Sequence, residues 1–272
     1  MSEPNDALQR RKPRKADDPD PELERIAGQL ALAISSVGST SFGDSLAAML
    51  EGMSGYTSTV VAAFSEGAKP VRLHSDLSPD DEKTTLRPYF DGTYLLDPWY
   101  NMANSQIEDG VYRLSDNVPD GFRKSEYYLT YYDSTGLIDE CGIFVRLSKQ
   151  ISLVTMLGIR ASDEGALRRG QLKQLRALFP AIRELMYRQW SSLSTISGNS
   201  NDNLQSICGA RGLVGREIEV TGYLLRGYSN KMIGRELGIS HETVKVYRKR
   251  INRKLGTRST REIYSMFFRK SF

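Results

Sequence analysis

The sequence predicts an α+β fold, in which an N-terminal antiparallel sheet covered by helices is followed by a C-terminal all-α domain of four helices. Three observations predict it. Apolar residues recur at three- and four-residue steps near both ends of the N-terminal part, runs typical of β-strands lie between them, and the C-terminal part contains helical patterns alone. A chain of 272 residues is long enough for one large and one small domain.

Helices are expected at both ends of the N-terminal domain. The first begins at Glu22, and the second covers Phe42 to Met53. A long closing helix is expected from Asp163 to Trp190, with a kink at Pro180 because proline lacks a backbone donor. The apolar stripe of the first helix consists of Leu23, Ile26, Ala27, Leu30, Ile34 and Val37.

Between these helices, short runs have the composition of β-strands. Residues 56–65 and 70–76 form two such runs after the second helix. Residues 141–147 and 151–160 form two more, separated by the polar turn Ser148–Gln150. The later pair is therefore expected to form a hairpin near the end of the domain.

Composition divides the chain into segments. Residues 1–21 are expected to form a disordered polar tail, and residues 22–190 an α+β sensor-like domain. Residues 191–210, rich in Ser, Asn and Gly, are expected to form a flexible linker. Residues 211–272 hold 15 Lys and Arg against 5 Asp and Glu, whereas the rest of the chain holds 22 against 28. A basic module typical of nucleic-acid binding is thus joined to a mildly acidic body.

Other features argue against several classes of protein. No apolar run approaches the ~18 residues that span a bilayer, and the polar N-terminus lacks the apolar core of a secretory signal, so a cytoplasmic location without membrane contact is expected. Cys141 and Cys208 have no CxxC partner, which favours free thiols in a reducing compartment. With two histidines and no HExxH, GxSxG or P-loop motif, neither an enzyme, a metal site nor a cofactor is expected. The residue pattern of a phosphorylation-driven receiver domain is not found either.

Helix signals follow one another closely in the C-terminal domain. A helix is expected from Arg216 to Gly227, and Ser229 is placed to cap the next one. Gly238 then supplies a tight turn, and Ser240 is placed to cap a third helix. Two short helices joined by such a turn form a helix-turn-helix unit.

The third helix separates an apolar face from a cationic one. Such a helix can dock on its own domain and enter the major groove of DNA, although a solvated basic helix has the same pattern. The apolar positions are Val244, Tyr247, Ile251 and Leu255, and the polar positions are Lys245, Lys249 and Asn252, flanked by Arg248 and Arg253.

A fourth helix begins at the capping-box pair Ser259 and Glu262. Its apolar residues are more than a small domain buries easily, so an intermolecular partner is expected to cover them. They are Ile263, Tyr264, Met266, Phe267 and Phe268.

The C-terminal domain resembles the LuxR/GerE-type helix-turn-helix family over ~60 residues. The matching residues are Arg216, Glu217, Gly227, Ser229, Asn230, Lys231, Ile233, Leu237, Ile239, Ser240, Thr243, Val244, Lys245, Ile251, Lys254, Leu255 and Arg258. The resemblance implies a transcriptional regulator that binds double-stranded DNA as a homodimer, with its last helix mediating dimerisation on an operator of two half-sites. It implies base contacts from Lys245, Val246 and Lys249. Positions implied near phosphates are Asn230, Lys231, Thr243 and Arg253, and Ser240 and Arg248 complete the set of DNA-binding candidates.

Three features depart from the family pattern. Val214 and Gly215 stand in place of a capping Thr or Ser with Pro, so the first helix is expected to fray at its start. Gly222 replaces a helix former, at a cost of up to ~1 kcal/mol. Tyr247 replaces a common His, which puts a contact to the DNA backbone from that position in doubt.

Aromatic residues are concentrated in the N-terminal domain, where 11 of the chain's 25 lie between Tyr89 and Tyr132. A buried tyrosine hydroxyl needs a partner, so the cluster suits a polar-edged pocket for a small molecule as well as it suits core packing. Asp97 would accept a hydrogen bond from a ligand amine or amide, or would be a turn residue before Pro98. The candidate ligand-binding residues are Tyr89, Tyr94, Asp97, Trp99, Tyr112, Tyr127, Tyr128 and Tyr131.

Residues 95–143 are similar to the GAF-like sensor domains of LuxR-type regulators. Autoinducer-binding domains are the second resemblance, through the pair Asp97 and Pro98 and through Tyr112, although the Trp and Tyr expected shortly before the Asp are missing. A GAF/PAS-like or an autoinducer-binding-like sandwich is therefore implied, with a small effector other than an acyl-homoserine lactone preferred.

Two hypotheses fit these observations. In the first, a small molecule binds the N-terminal domain and controls a dimeric DNA-binding regulator. In the alternative, the N-terminal domain is a protein-interaction module without a small ligand. The distinguishing observation is whether the tyrosine-rich segment encloses a cavity of a few hundred Å³ or is packed solid.

Overall fold

The computed structural model describes residues 20–65, 68–105, 107–161, 169–195 and 204–268. The strands within these ranges are β1 (Ser58–Ser65), β2 (Val71–Ser75), β3 (Gly110–Arg113), β4 (Leu137–Arg146) and β5 (Ile151–Arg160). They form one antiparallel sheet in the order β2-β1-β5-β4-β3. The predicted α+β class and the β4–β5 hairpin are confirmed.

Helices cover both faces of this sheet. The helices of the N-terminal domain are α1 (Pro21–Ser36), α2 (Phe42–Ser54), α3 (Pro79–Asp81), α4 (Arg87–Phe90), α5 (Pro98–Asn104) and α6 (Arg169–Trp190). Side chains of α1, α2 and α6 pack on one face, and the segment from α3 to β4, which winds through short helical turns, packs on the other.

Alternation along the strands explains the two packed faces. On β4, Ile143 and Val145 point toward α2 and α6, whereas Phe144 points toward the aromatic segment. All three side chains are at most 2% exposed. An antiparallel sheet often leaves one face in water, but here both faces are buried.

Some helix boundaries differ from the predicted ones. Asp20 caps α1 through its side chain and Pro21 is the first helical residue, so the predicted tail ends earlier than residue 21. The rest of that tail and the predicted helix start at Asp163 lie outside the described residues. Pro180 lies within α6, which continues to Trp190. The strand β3 was not predicted, because four residues carry too weak a pattern.

The predicted linker 191–210 also differs from the structure. Residues Ser191–Thr195 form a helical turn and Leu204–Gly209 form helix α7, while residues 196–203 lie outside the described ranges. Helix α7 packs on the C-terminal domain through the fully buried Cys208. Gly222 makes room for it, since a Cβ there would lie 2.9 Å from Leu204 Cδ2. A larger residue at position 222 would therefore displace the side-chain ends of Leu204 and Arg226.

The C-terminal domain continues with the predicted helix order. Its further helices are α8 (Arg216–Leu225), α9 (Asn230–Leu237), α10 (His241–Leu255) and α11 (Thr260–Phe268). The predicted caps are confirmed: Ser229 Oγ accepts from Met232 N–H at 3.3 Å, and Ser240 Oγ accepts from Thr243 N–H at 3.0 Å. The capping box at Ser259 is present as well, with Glu262 N–H donating to its Oγ at 3.2 Å.

The start of α8 is held by a contact that replaces the missing cap. Glu217 Oε2 accepts from Val214 N–H at 3.1 Å and from Lys254 Nζ at 2.7 Å. Burial disfavours the Glu217 charge, but these hydrogen bonds outweigh it, and the pKa of Glu217 is lowered. The expected fraying is therefore opposed by an ion pair from the end of α10.

Both cysteines, Cys141 and Cys208, are free and buried. Burial raises the pKa of each thiol to about 12.

Within the described ranges, no helix is both long enough and apolar enough to cross a membrane.

Candidate nucleic-acid interface and tyrosine cavity

Helix α10 presents a basic outer face. Lys245, Lys249 and Arg253 are exposed there, and Val246 between them is 50% exposed. Val244, Ile251 and Leu255 on the opposite side are buried against α8 and α9. The predicted division of this helix into two faces is confirmed, although Tyr247 is only half-buried.

Polar contacts fix α10 relative to α9. Arg248 Nη1 donates to Asn230 Oδ1 at 3.0 Å, so two of the candidate residues hold each other. Ser240 Oγ lies 2.8 Å from Thr243 Oγ1, which makes the N-cap a pair of hydroxyls at the end of the helix. The helix-turn-helix unit is thus held rigidly before any ligand arrives.

Lys245, one of the candidate base-contacting residues, forms an ion pair within α10. Lys245 Nζ lies 2.9 Å from Glu242 Oε1, and the hydrogen bond from Lys245 lowers the pKa of Glu242. Because both side chains are exposed, such a pair is weak and can be exchanged for a DNA contact. Lys231 is exposed at the start of α9. Arg250, which is absent from the predicted set, lines the same shallow surface as Lys245 and Lys249.

The apolar residues of α11 are covered within the chain only in part, since Met266 is 37% exposed. Ile263 and Tyr264 are 1% and 2% exposed, and the Tyr264 hydroxyl hydrogen-bonds Thr93 of the N-terminal domain. The guanidinium of Arg211 lies 4.9 Å from the ring centroid of Phe267. The expectation that an intermolecular partner covers these residues is therefore wrong for Tyr264, whose partner is the other domain. The side chain of Phe268 lies outside the described part of the chain.

The aromatic segment encloses a small cavity against the sheet, which we call the tyrosine cavity. Its volume is about 60 Å³. The segment is thus not packed solid, as the protein-interaction hypothesis expects, but the cavity is smaller than the few hundred Å³ that the small-molecule hypothesis expects. Four of the predicted ligand-binding residues line it: Tyr89, Asp97, Tyr127 and Tyr131. The other lining residues are Ser58, Val60, Leu77, Thr85, Leu86, Tyr132, Thr135, Leu137, Glu140, Met156, Gly158 and Arg160.

The other predicted ligand-binding residues lie elsewhere. Tyr94 packs edge-on against Tyr100, with ring centroids 5.0 Å apart. Trp99 is fully buried against Phe144, and Tyr112 donates from its hydroxyl to the Glu108 carbonyl at 2.9 Å. Tyr128 stacks on Tyr132, with ring centroids 5.2 Å apart. Tyr128 lines a second, neighbouring pocket of about 210 Å³, which Tyr132 and Glu140 line as well. Tyr94, Trp99 and Tyr112 line neither of the two.

Asp97 is the most heavily bonded residue of the cavity. Its Oδ2 accepts from the Tyr89 hydroxyl at 2.5 Å, and its Oδ1 accepts from Trp99 N–H at 3.1 Å. The Tyr127 hydroxyl hydrogen-bonds it as well. Burial nevertheless raises the pKa of Asp97. Asp97 is the N-cap of α5, which agrees with the predicted turn before Pro98, and it also lines the tyrosine cavity.

Glu140 on β4 is the functional candidate that the sequence analysis missed. It is 8% exposed, and burial followed by the negative charge of Asp97 raises the pKa of its carboxyl. The indole of Trp99, followed by the hydroxyl of Tyr132, partly offsets this effect. The sequence offered little signal for it, because Glu140 follows Asp139 and stands one residue before the predicted strand 141–147. Its burial becomes visible only once β4 is seen to begin at Leu137.

The cavity and the C-terminal domain are linked through α5. Asn101 Nδ2 donates to the carbonyl oxygen of Asp97 at 2.7 Å, and Asn101 Oδ1 accepts from Arg226 Nη1 at 3.1 Å. Arg226 follows α8, so this contact joins the two domains. Beside it the backbones approach closely, since a Cβ on Gly227 would lie 2.8 Å from the carbonyl oxygen of Gly121.

Comparison with known proteins is informative for both domains. Residues 212–267 match the family of bacterial regulatory proteins, luxR family. A protein of Aeromonas salmonicida, described as an inferred HTH-type transcriptional regulator in the exeN 3′ region, is 27% identical over 183 residues, which are 63% of this chain and 92% of that protein. The crystal structure of the VqsR LBD domain from Pseudomonas aeruginosa is 24% identical, with a TM-score of 0.52, over 62% of this chain and 97% of that one. This likeness concerns the fold alone.

Proposed function

Because residues 212–267 are a helix-turn-helix domain of the luxR family, we propose that the chain is a sequence-specific transcriptional regulator that binds double-stranded DNA. The observation that carries the proposal is the exposed basic face of α10, which the rest of the domain holds in place. A helix of this kind enters the major groove, where donors and acceptors on base edges distinguish sequences. We assign base contacts to Lys245, Val246 and Lys249.

Contacts to phosphates are assigned to residues at the margins of the same face. Lys231 and Arg253 are exposed and positively charged, and Asn230 and Thr243 lie at the starts of their helices, where backbone N–H groups attract anions. These contacts set affinity and register rather than sequence preference.

The test separates the two kinds of contact. An operator is first selected in vitro from random duplexes with the full chain. Lys249→Ala should then weaken binding to that operator by roughly 1–3 kcal/mol and relax selection at one base pair. Arg253→Ala should weaken binding to all duplexes alike and reduce the slope of log affinity against log salt by about 1.

Lys149→Ala is the matched control, because Lys149 is an exposed lysine on the turn between β4 and β5. It should leave affinity, selection and salt dependence unchanged. Unaltered operator selection by both Lys245→Ala and Lys249→Ala would contradict the base contacts. Loss of selection in Arg253→Ala would contradict the division of roles.

Control by a small effector is the second part of the proposal. The tyrosine cavity supplies the site, and the route from Asp97 through α5 and Asn101 to Arg226 supplies the connection to the DNA-binding domain. A ligand that displaces Asp97 would shift the N-terminus of α5 and so disturb the Arg226 contact. Coupling of this kind requires that the ligand bind the two domain arrangements with different affinity.

A homodimer is the third part of the proposal. Two half-sites on an operator require two copies of α10. Helix α1 offers a surface for pairing, since Leu23 and Ile34 are 64% and 56% exposed.

The small volume of the tyrosine cavity favours one alternative, in which a protein partner acts on the N-terminal domain and no small molecule binds. Mass spectrometry of small molecules released from the denatured protein distinguishes the two. A released compound that also raises the thermal midpoint and alters operator affinity supports effector control. Absence of any such compound from protein produced in several hosts supports the protein-partner alternative.

A further inference from the structure

The acceptor positions of Asp97 are largely used by the chain itself. A carboxylate offers about four such positions. The hydroxyls of Tyr89 and Tyr127 and the backbone N–H of Trp99 occupy three of them. Asp97 therefore serves mainly to cap α5 and to hold the tyrosines, and little of it is left to recognise a ligand.

Glu140 has more of its acceptor positions left than Asp97 has. Two side-chain donors act on its carboxyl, the indole of Trp99 and the hydroxyl of Tyr132. Trp99 Nε1 is close enough to lower the pKa of Glu140, yet it is buried without a hydrogen bond of normal geometry to any described residue. Acceptor capacity thus remains on a buried carboxyl that lines the tyrosine cavity.

The surroundings of Glu140 select for positive charge. Rings of Tyr89, Tyr127 and Tyr131 line the same cavity, and aromatic rings attract cations. Arg160, the basic residue of the cavity lining, forms an ion pair with Asp81, in which Arg160 Nη1 lies 2.9 Å from Asp81 Oδ2. Within the described ranges, no cluster of three carboxylate, histidine or cysteine side chains could hold a metal ion.

We propose that the tyrosine cavity binds a small organic cation with N–H donors, an ammonium or an amidinium, and that Glu140 is the carboxylate that accepts from it. A cavity of about 60 Å³ limits the cation to a few non-hydrogen atoms. The ligand supplies the charge and the donors that Glu140 lacks. This inference rests on the proposed effector site and assigns its chemistry.

The experiment compares three probes of similar size and different charge: butylammonium, 1-butanol and butyrate. Their affinities for the full chain are measured by ligand-observed NMR titration at a pH between the raised pKa of Glu140 and the pKa of an alkylammonium, where both groups are charged. Butylammonium is expected to bind at least tenfold more tightly than either other probe. Glu140→Gln, which keeps an acceptor and removes the charge, should abolish this preference. Glu126→Gln, a half-buried glutamate outside the cavity lining, should retain it.

Each outcome decides a separate point. Equal or tighter binding of 1-butanol or butyrate to the unaltered chain overturns the inference, and so does a preference for butylammonium that survives in Glu140→Gln. Operator affinity is measured alongside. If butylammonium binds as expected but leaves operator affinity unchanged, the cation site stands and effector control fails. If a neutral compound binds the cavity and changes operator affinity, effector control stands and the cation site fails.

Discussion

At the scale of single residues, burial makes Glu140 costly for the fold. Burial and the charge of Asp97 raise the pKa of its carboxyl, so the folded protein holds this proton to a higher pH than the unfolded chain does. The contribution of the group to stability is therefore most favourable at low pH. It is lost as the pH rises from about 4.3, the pKa of an unperturbed glutamate, through the raised pKa of the folded state.

Glu140→Gln is consequently expected to stabilise the N-terminal domain in alkaline solution and to leave its stability unchanged below the unperturbed pKa. Gln keeps an acceptor for Tyr132 and has no charge to desolvate. Within the window the difference should grow by up to about 1.4 kcal/mol per pH unit. The measurement is the urea midpoint of unfolding over a series of pH values.

Glu236→Gln is the control for this series, because Glu236 is exposed on α9. Its midpoints should follow those of the unaltered chain at every pH. A lower midpoint for Glu140→Gln in alkaline solution would contradict the sign of the effect.

At the scale of elements, the predicted apolar stripe of α1 divides: Ile26 and Leu30 pack on the core, whereas Leu23 and Ile34 form a narrower exposed stripe that no described residue buries. Leu23 and Ile34, separated by three turns, lie on the same side of the helix, whereas Leu32 lies on the opposite side. All three are more than half exposed. Ala33 and Ser36 form the buried side. A second copy of the chain pairing along the stripe would remove Leu23 and Ile34 from water.

Ile34→Glu is expected to weaken dimerisation at least tenfold without loss of the fold, because a charge would be buried in the paired state only. Leu32→Glu is the matched control, being 65% exposed on the other side of the same helix. Sedimentation equilibrium gives the dimer dissociation constant of each variant, and circular dichroism checks the fold. Equal dissociation constants for the two variants would exclude pairing through this stripe.

Elements that depend on local signals could be predicted from the sequence. The caps at Ser229 and Ser240 and the turn at Gly238 are set by residues within a few positions of one another. The apolar period of α10 likewise identifies its buried side. The helix α7 could not be predicted in this way, because its six residues are too few to show a period, and it packs on α8 through the buried Cys208.

The tyrosine cavity could be predicted in part. The aromatic cluster points to Tyr89, Tyr127 and Tyr131, which reach the cavity from one continuous segment. Glu140 and Arg160 reach it through strand pairing, which aligns Glu140 with Gly158 and Leu137 with Arg160. Register between strands depends on long-range contacts, so a single sequence does not specify which acid faces which tyrosine.

At the scale of the whole molecule, the two domains share one interface beside the tyrosine cavity. Tyr264 of α11 hydrogen-bonds Thr93, and Arg226 hydrogen-bonds Asn101 of α5. The helix that the family resemblance assigns to dimerisation is therefore engaged by the N-terminal domain of the same chain. Pairing through the buried side of α11 would require this interface to open.

Gly121→Ala is expected to open the interface. The backbone of Gly121 has φ −85° and ψ −1°, which alanine adopts readily, but the added Cβ would collide with the carbonyl oxygen of Gly227 in the other domain. The radius of gyration should increase in small-angle scattering. Operator affinity should change without any ligand, by about 5- to 150-fold if the coupling is typical.

Gly28→Ala is the control for this substitution, because a Cβ on Gly28 would have no atom within 4 Å. It should alter neither the radius of gyration nor operator affinity. A Gly121→Ala protein with the dimensions and the affinity of the unaltered chain would contradict the role of the interface.

The placement of Trp99 has an optical consequence. The chain has two tryptophans, which lie on opposite faces of the sheet: Trp190 packs on Phe42, with ring centroids 5.2 Å apart, and Trp99 is buried beside Glu140. Indole fluorescence responds to the charge and protonation of a neighbouring carboxyl. In a Trp190→Phe protein, emission would therefore come from a single chromophore at the back of the cavity wall. The unlabelled chain contains its own reporter of what occupies the cavity.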